Sequence, residues 1–191
     1  MLEVERIDKL KEMISPKRLE HSLGVRDTAI DLATIYGVNP QKTRIAGLLH
    51  DCAKGITNNN LLKMADEFGI VIDGVIKKVP ALLHAPVGAE LAKREFEVDD
   101  EEILNAIRVH TLGSEEMNLL EKVILLADYI EPGRSCPGII EVRKKAKVNI
   151  DLAIRIACDN TLMYHLNNQK LIHPQTLLTR NAFLRKGEND E

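Results

Sequence analysis

The chain has 191 residues, of which 45% are apolar and 29% are charged, and its net charge is −3. This balance is ordinary for a soluble globular domain and provides no overall basic field for binding DNA or RNA. Aromatic residues make up only 3% of the chain, which argues against a single-strand nucleic-acid platform of stacked aromatic rings.

Cysteine usage and hydropathy indicate where the protein resides. The cysteines, Cys52, Cys136 and Cys158, are far apart and show no Cys-x-x-Cys spacing, which suits a reducing compartment. The N-terminal residues lack the apolar segment of a signal peptide, and no apolar run approaches the length of a membrane span. We therefore expect a cytoplasmic protein that binds neither membranes nor nucleic acid.

Helix start and stop signals recur along the chain. Ser15-Pro16 and Asn39-Pro40 each join an N-cap residue to a proline at the first helical position, and Gly37 and Gly69 are typical helix stops. Apolar spacing between such signals predicts helices over 3–14, 16–36, 40 to about 55, 58–68, the region after Pro80 to about 96, 100–113, 114–131, 138–147, 150–167 and 174–185. Residues 70–72 are interpreted as an apolar linker and 186–191 as a frayed polar tail.

Two of the predicted helix starts depend on particular N-cap residues. Residues Asp99 to Glu102 have the pattern of a capping box, and Ser114 is predicted to cap the helix that carries Asp128. The sequence predicts one all-α domain over 1–191. Its core is a helical bundle over about 17–135, and C-terminal helices over about 138–185 pack on it.

Six ionisable side chains lie on or beside apolar helix segments, namely His21, His50, Asp51, His84, His110 and Asp128. Each alone is most simply a hydrogen-bonded polar residue at a helix end. The run Ile45–Leu49, however, carries a His-Asp pair towards the interior, where an ionised carboxylate is costly unless it is compensated. A divalent metal is a common compensation because it suits both imidazole and carboxylate.

In the order H…HD…H…H…D, these residues resemble the HD superfamily of metal-dependent phosphohydrolases. Four segments, His21–Val25, Gly47–Lys54, His110–Gly113 and Ala127–Arg134, are similar to the YqeK family in particular. That family hydrolyses diadenosine tetraphosphate symmetrically, and the resemblance covers about 17–180. It implies a single HD-domain bundle, iron as the metal, and a homodimer.

The candidate metal ligands are His21, His50, Asp51 and Asp128. Two imidazoles and two carboxylates from different helices suit a site inside a bundle, and this donor set fits iron or manganese, with zinc as a further option. His84 and His110 either bind a second metal, as in dinuclear relatives, or face the phosphate chain as hydrogen-bond donors or a proton relay. We favour the second role for them.

Basic residues are candidates for phosphate binding. Arg18, Lys54 and Arg134 have suitable chemistry, because arginine binds phosphate bidentately and lysine acts as a point charge. The alternative for each is an ordinary surface charge. The basic cluster of Arg143 to Lys145 with Lys147 is interpreted as a solvated helix face.

The remaining substrate-binding candidates have weaker support. Tyr129 and Glu131 are assigned to substrate binding through the family resemblance alone. Leu171, Ile172 and His173 either wall the nucleoside side of the substrate or simply connect two helices.

The predicted function is metal-dependent hydrolysis of diadenosine tetraphosphate, or another dinucleoside polyphosphate, to two nucleoside diphosphates. Two alternatives stay open at this point. One is an HD phosphohydrolase that acts on another nucleotide. The other is a regulatory module that senses a nucleotide without cleaving it.

Overall fold

The computed structural model describes residues 1–188, which form eleven α-helices, one short 3-10 helix and no strand. The helices are α1 (Glu3–Met13), α2 (Pro16–Tyr36), α3 (Pro40–Leu49), α4 (Asn58–Glu67), α5 (Gly74–Lys78), α6 (His84–Phe96), α7 (Glu101–Val109), α8 (Leu119–Ile130), α9 (Ile139–Lys145), α10 (Ile150–Asn167) and α11 (Pro174–Glu188), and the 3-10 helix is Pro80–Leu83. The predicted all-α fold is confirmed. None of the described helices is both long and apolar enough to cross a membrane.

Helices α2 and α8 lie at the centre of the packing. Helix α2 packs against α3 and α8, α7 packs against α3, α6 and α8, and α10 joins α8 and α9 to α11. One cluster of buried apolar side chains runs from Leu10 on α1 to Phe183 on α11. The ends of α3, α7 and α8 and the beginning of α6 meet beside the N-terminal part of α2.

The predicted helix starts at the two cap-proline pairs are correct. Ser15 Oγ accepts a hydrogen bond from the Arg18 amide at 3.3 Å, and Asn39 Oδ1 accepts from the amides of residues 41 and 42. Gly37 ends α2 in the left-handed conformation with φ of 68°, which glycine adopts without steric cost. Thr57 precedes α4, and its side chain makes no capping hydrogen bond.

Helix α3 ends at Leu49, about six residues earlier than predicted. Residues 50–55 form successive turns with hydrogen bonds of the i to i+3 type, such as Cys52 N to Leu49 O and Lys54 N to Asp51 O. Gly55 then passes against the end of α1, where a Cβ atom would lie only 2.0 Å from Met13 O. This close approach requires glycine and a tighter path than an α-helix allows.

Two predicted caps are wrong. Asp100, not Asp99, caps α7, and its carboxylate accepts from the Glu102 amide at 3.0 Å. Helix α8 begins after Asn118 rather than Ser114, because Asn118 and Glu121 form a reciprocal capping box with bonds of 2.9 and 3.1 Å.

Two further boundaries differ from the prediction. Helix α5 was not predicted, and the carboxylate of Asp73 caps it by accepting from Val75 N and Ile76 N, both at 2.8 Å. Helix α11 extends to Glu188, beyond its predicted end, so 186–188 are helical. The rest of the predicted frayed tail, 189–191, lies outside the described residues.

Candidate metal centre

The six ionisable side chains predicted from the sequence converge in one buried cluster. They come from α2 (His21), the residues following α3 (His50 and Asp51), the start of α6 (His84), the residue following α7 (His110) and the end of α8 (Asp128). The imidazole centroids lie 5.2 Å apart for His21 and His50, and 5.0 Å apart for His84 and His110. One residue within α2 and the ends of four other helices thus bring together side chains that are far apart in the chain.

Three of the histidines share one hydrogen-bond pattern, in which Nδ1 faces the carbonyl oxygen three residues earlier. The distances are 2.8 Å for His50 to Gly47, 2.6 Å for His84 to Ala81 and 2.8 Å for His110 to Ile107. A carbonyl oxygen can only accept, so Nδ1 carries the proton in each ring. In the neutral imidazole the Nε2 lone pair therefore faces the cluster.

The fourth histidine, His21, is oriented by a carboxylate. Its Nδ1 lies 3.0 Å from Glu131 Oε1, and the other Glu131 oxygen accepts from the Gly133 amide. A Cβ atom added at Gly24 or Gly133 would lie 3.0 Å from a Glu131 oxygen, so both glycines leave room for this buried carboxylate. Glu131, expected at the substrate, is placed behind His21, where it directs the Nε2 lone pair into the cluster.

Asp51 lies between two pairs of imidazoles and is only 2% exposed. Its Oδ2 atom lies 3.5 Å from His50 Nε2 and 3.7 Å from His21 Nε2. Its Oδ1 atom lies 3.3 Å from His84 Nε2 and 3.6 Å from His110 Nε2, and receives no hydrogen bond from any described residue. Each oxygen of one buried carboxylate thus faces its own histidine pair.

The chemistry of these contacts fits a cation. The Nε2 atoms of His21 and His50 are 3.3 Å apart, and those of His84 and His110 are 3.1 Å apart. Neutral rings whose Nδ1 protons point outwards have no proton to share across such contacts, whereas a divalent metal attracts both lone pairs. Three groups of ligand atoms lie within 4.8 Å of one another: His21, His50 and Asp51; His50, His110 and Asp128; and Asp51, His84 and His110.

Asp128 lies beside the first pair of histidines, His21 and His50. Its Oδ1 lies 3.0 Å from His21 Nε2 and 3.7 Å from His50 Nε2. The structure therefore brings all four predicted ligands of the first metal to one point. It also places His84 and His110 on the opposite side of Asp51.

The charges in the cluster keep the carboxylates ionised and His84 neutral. Burial opposes ionisation of Asp51, but the adjacent His50 and the contacts with the other imidazoles outweigh it and hold the pKa of Asp51 well below its usual range. For Asp128, contacts with His21, His50 and Arg134 overcome burial in the same way and lower the pKa. Burial, with the proximity of His110 and Lys54, lowers the pKa of His84 to about 4. Ionised carboxylates and a neutral imidazole are the forms that bind metals.

Three predicted phosphate-binding cations surround the cluster. Arg18 donates from Nη1 to Asp51 Oδ2 at 2.8 Å, and Arg134 donates from Nε to the Asp128 carbonyl at 2.9 Å and from Nη2 to the Asp128 carboxylate. Lys54 Nζ lies 3.1 Å from His84 Nδ1. Because that nitrogen already donates to a carbonyl, it does not accept a hydrogen bond from Lys54. Arg18 and Arg134 line a cavity of about 650 Å³ that reaches His21.

The other predicted substrate residues lie on a different side of the centre. Leu171, Ile172 and His173 line a cavity of about 150 Å³ that also includes Thr111. Tyr129 lines a neighbouring cavity with Thr111 and Asp128, and a further one of about 360 Å³ with Arg134. The imidazole of His173 is turned away to Asp73, with Nε2 2.8 Å from the carboxylate.

Two residues at the site were missed in the sequence. Thr111 Oγ1 lies 3.0 Å from both His84 Nε2 and His110 Nε2, and its sequence signal is its place in the segment His110–Gly113 that carries the family resemblance. Arg143, interpreted as part of a solvated face, donates to three backbone carbonyls near the centre and is half-buried. Lys144 and Lys145 beside it are exposed, as predicted. No sequence motif marks Arg143, because its acceptors are main-chain oxygens.

The fold and this His/Asp cluster define a class of protein. The HD domain family model matches residues 18–133, a span that contains all six clustered side chains. The chain belongs to the HD domain family.

More specific relatives share nearly the whole chain. It is 41% identical over 175 residues to a symmetrical bis(5'-nucleosyl)-tetraphosphatase of Halalkalibacterium halodurans, covering 92% of this chain and 93% of that protein. A protein of the same name from Bacillus subtilis is 40% identical, with 90% and 92% covered. A crystal structure from Clostridium acetobutylicum, described as a predicted HD superfamily hydrolase involved in NAD metabolism, is 39% identical. It superposes with a TM-score of 0.94 over 97% of this chain and 98% of that one. The resemblance stated from the sequence is thereby confirmed.

Proposed function

We propose that this protein is a metal-dependent phosphoric anhydride hydrolase that cleaves diadenosine tetraphosphate, and related dinucleoside polyphosphates, symmetrically to two ADP. The observation that carries the proposal is the convergence of four imidazole Nε2 atoms on Asp51 and Asp128. The similarity to two symmetrical tetraphosphatases over at least 90% of the chain supports the substrate class.

The candidate ligands divide into two sets that share Asp51. His21, His50 and Asp128 with Asp51 Oδ2 would hold one divalent metal. His84 and His110 with Asp51 Oδ1 would hold a second, which we now prefer to the phosphate-donor role, because their Nε2 atoms have no proton to donate. The resemblance implies iron, and the mixed nitrogen and oxygen donors also suit manganese or zinc.

When bound, such metals supply Lewis-acid activation of water and of the phosphoryl oxygens. The protein's own residues provide the remaining requirements. Asp51 and Asp128 stay ionised because their pKa values lie below the usual range. The carbonyl contacts of His50, His84 and His110 and the Glu131 contact of His21 fix the ring orientations, so the ligand geometry needs little reorganisation when substrate binds.

The cations around the cavity of about 650 Å³ would bind the phosphates. Arg18 and Arg134 flank His21 there, and their guanidinium groups bind phosphate oxygens bidentately. Lys54, on the His84 side, adds a point charge. These three side chains offset part of the negative charge of the tetraphosphate and hold the central anhydride beside the ligand cluster.

Symmetrical cleavage places one nucleoside diphosphate on each side of the broken bond, so the substrate needs room on both sides of the centre. The cavity of about 650 Å³ lies on the Arg18 side. On the other side, Thr111 and Thr176 line two adjoining cavities. We propose that Tyr129 and residues 171–173 wall the second nucleoside there.

Product analysis tests the proposal directly. Incubation with diadenosine tetraphosphate and iron, manganese or zinc, followed by anion-exchange chromatography, should give two ADP per substrate. Formation of ATP and AMP would exclude symmetrical cleavage. Turnover only of another nucleotide would favour a different HD phosphohydrolase, and tight nucleotide binding without turnover would favour a sensing module.

We also propose a cytoplasmic homodimer, which the family resemblance supports. Light scattering coupled to size-exclusion chromatography measures the mass in solution. A mass near twice 21.4 kDa is expected, and a mass near 21.4 kDa would exclude the dimer.

A further inference from the structure

The segment that follows α8, residues 131–134, serves the candidate centre at two points. Glu131 accepts from His21 Nδ1 at 3.0 Å, and Arg134 donates to both the carbonyl and the carboxylate of Asp128. This segment, here called the α8–α9 loop, therefore orients one ligand on α2 and another on α8. Any shift of the loop would move both ligands.

The α8–α9 loop makes few hydrogen bonds within itself. The last carbonyls of a helix lack partners within the helix, and Pro132 has no N–H to offer. Within the loop, the Arg134 amide donates to Glu131 O at 3.0 Å, and the Gly133 amide donates to the Glu131 carboxylate.

Arg143 on α9 adds three hydrogen bonds to this loop. Its Nε donates to Ile130 O at 2.8 Å, and its Nη2 donates to Glu131 O at 2.8 Å and to Arg134 O at 3.0 Å. Nε has one proton and Nη2 has two, so three protons meet three carbonyl contacts. The planar guanidinium thus ties both ends of the loop to one rigid group.

Arg143 is itself held in place. Val142, the residue before it, is fully buried, and so is Ala146 at the end of α9. Arg143 is half-buried, whereas Lys144 and Lys145 point to solvent. The buried residues of α9 on either side of Arg143 therefore fix the position of its guanidinium group.

We propose that Arg143 is a positioning residue of the candidate centre, which holds the α8–α9 loop so that Glu131 and Arg134 keep His21 and Asp128 in place. The proposal rests on the proposed metal site, but not on the identity of the substrate. It explains why one basic residue in a cluster of exposed lysines turns inwards.

The test compares Arg143→Lys with Lys144→Ala, which removes an exposed charge next to it. Lysine keeps the charge but has a single nitrogen, which cannot span the three carbonyls. The first measurement is Mn²⁺ binding by equilibrium dialysis, where we expect Arg143→Lys to weaken affinity by up to about tenfold, the lower end of the range for direct partners of metal ligands, because Arg143 acts only through the loop. Lys144→Ala should bind Mn²⁺ like the parent chain.

The second measurement needs no metal. Hydrogen exchange followed by mass spectrometry should show faster exchange at the amides of Gly133 and Arg134 in Arg143→Lys, but not in Lys144→Ala. The third is a double-mutant cycle: in a Glu131→Gln background, Arg143→Lys should weaken Mn²⁺ binding by less than it does alone, because both act through the same loop.

A lower melting temperature with parent-like Mn²⁺ affinity and loop exchange would overturn the proposal and leave Arg143 a purely structural residue. If Arg143→Lys does not fold, Arg143→Gln, which retains one amide donor, is measured in the same way. If the parent fails to cleave diadenosine tetraphosphate, the proposed function fails, but Mn²⁺ affinity and hydrogen exchange still decide the role of Arg143.

Discussion

The two sides of Asp51 are held in different ways. On one side, His84 and His110 each donate Nδ1–H to a carbonyl three residues earlier, and their side chains are 3% and 1% exposed. On the other side, His21 and Asp128 are 11% and 19% exposed and are held by side chains of the α8–α9 loop. The closed side is organised by local backbone. On the open side only His50 is held in that way, by Gly47 O, whereas His21 and Asp128 depend on side chains of the α8–α9 loop.

This difference shows where the centre can be adjusted. A ligand held by its own backbone cannot be reoriented by changing a neighbouring side chain, whereas a ligand held by a carboxylate can. The open side also borders the cavity of about 650 Å³, where phosphates would enter. The side of Asp51 through which the substrate would enter is therefore also the side on which ligand orientation depends on neighbouring side chains.

Removing the carboxylate that joins both sides should have the largest effect. Asp51→Ala takes away an oxygen from each candidate metal set, so bound metal and turnover should fall to background. The loss of activity should exceed the roughly 100-fold that is typical when only a partner of a ligand is removed. Elemental analysis and far-UV circular dichroism measure metal content and helicity. Parent-level metal in a folded Asp51→Ala protein would show that Asp51 is not a ligand.

The next largest effect should come from the phosphate contact on the open side. Arg134→Ala should lower kcat/KM for diadenosine tetraphosphate about 10- to 100-fold, since each charge-assisted hydrogen bond contributes roughly 1.5–3 kcal/mol. Arg134→Lys should be intermediate, because it keeps the charge without the bidentate fork. Because Arg134 also orients the candidate ligand Asp128, the kinetics of each variant are compared at saturating metal. Lys145→Ala, which removes an exposed charge on α9, is the control, and parent-like kinetics in Arg134→Ala would remove Arg134 from substrate binding.

A smaller effect is expected from the carboxylate behind His21. Glu131→Gln keeps the size and one acceptor oxygen but loses the charge that favours a basic Nε2, so metal affinity should fall about tenfold, at the lower end of the usual range for such partners. Competition with a metal-sensitive dye measures this. If affinity matched that of the parent, His21 would not depend on the loop, and the contrast between the two sides would be lost.

The smallest effect concerns the space that Glu131 occupies. Gly24→Ala introduces a Cβ 3.0 Å from Glu131 Oε2, so the carboxylate must shift by a few tenths of an ångström. We expect a loss of metal affinity smaller than that of Glu131→Gln. The free energy of unfolding should change by less than about 1 kcal/mol, because alanine favours the helix by a similar amount.

The control for this variant is Gly74→Ala, whose Cβ meets nothing within 4 Å. It should leave metal affinity unchanged. Equal affinities in both variants and the parent would mean that the position of Glu131 is not critical.

Local signals in the sequence predicted several helix boundaries correctly. The caps at Ser15 and Asn39 and the stop at Gly37 were predicted because each acts on backbone groups within four residues. The predictions failed where two local signals competed. Ser114 and Asn118 are both good caps, and only Asn118 has an acidic partner three residues later that completes a capping box.

The same distinction between local signals and tertiary contacts applies to the candidate site. The sequence by itself determined the helical class and the candidate ligand set, because apolar runs that end in histidine and aspartate can be recognised locally and match a family motif. Only the tertiary structure decided that Asp51 faces two histidine pairs, that Glu131 lies behind His21, and that Arg143 holds the α8–α9 loop. Apart from the adjacent pair His50 and Asp51, those contacts join residues 12 to 110 positions apart, often through backbone carbonyls that every residue possesses, so no pattern of side chains along the chain can specify them.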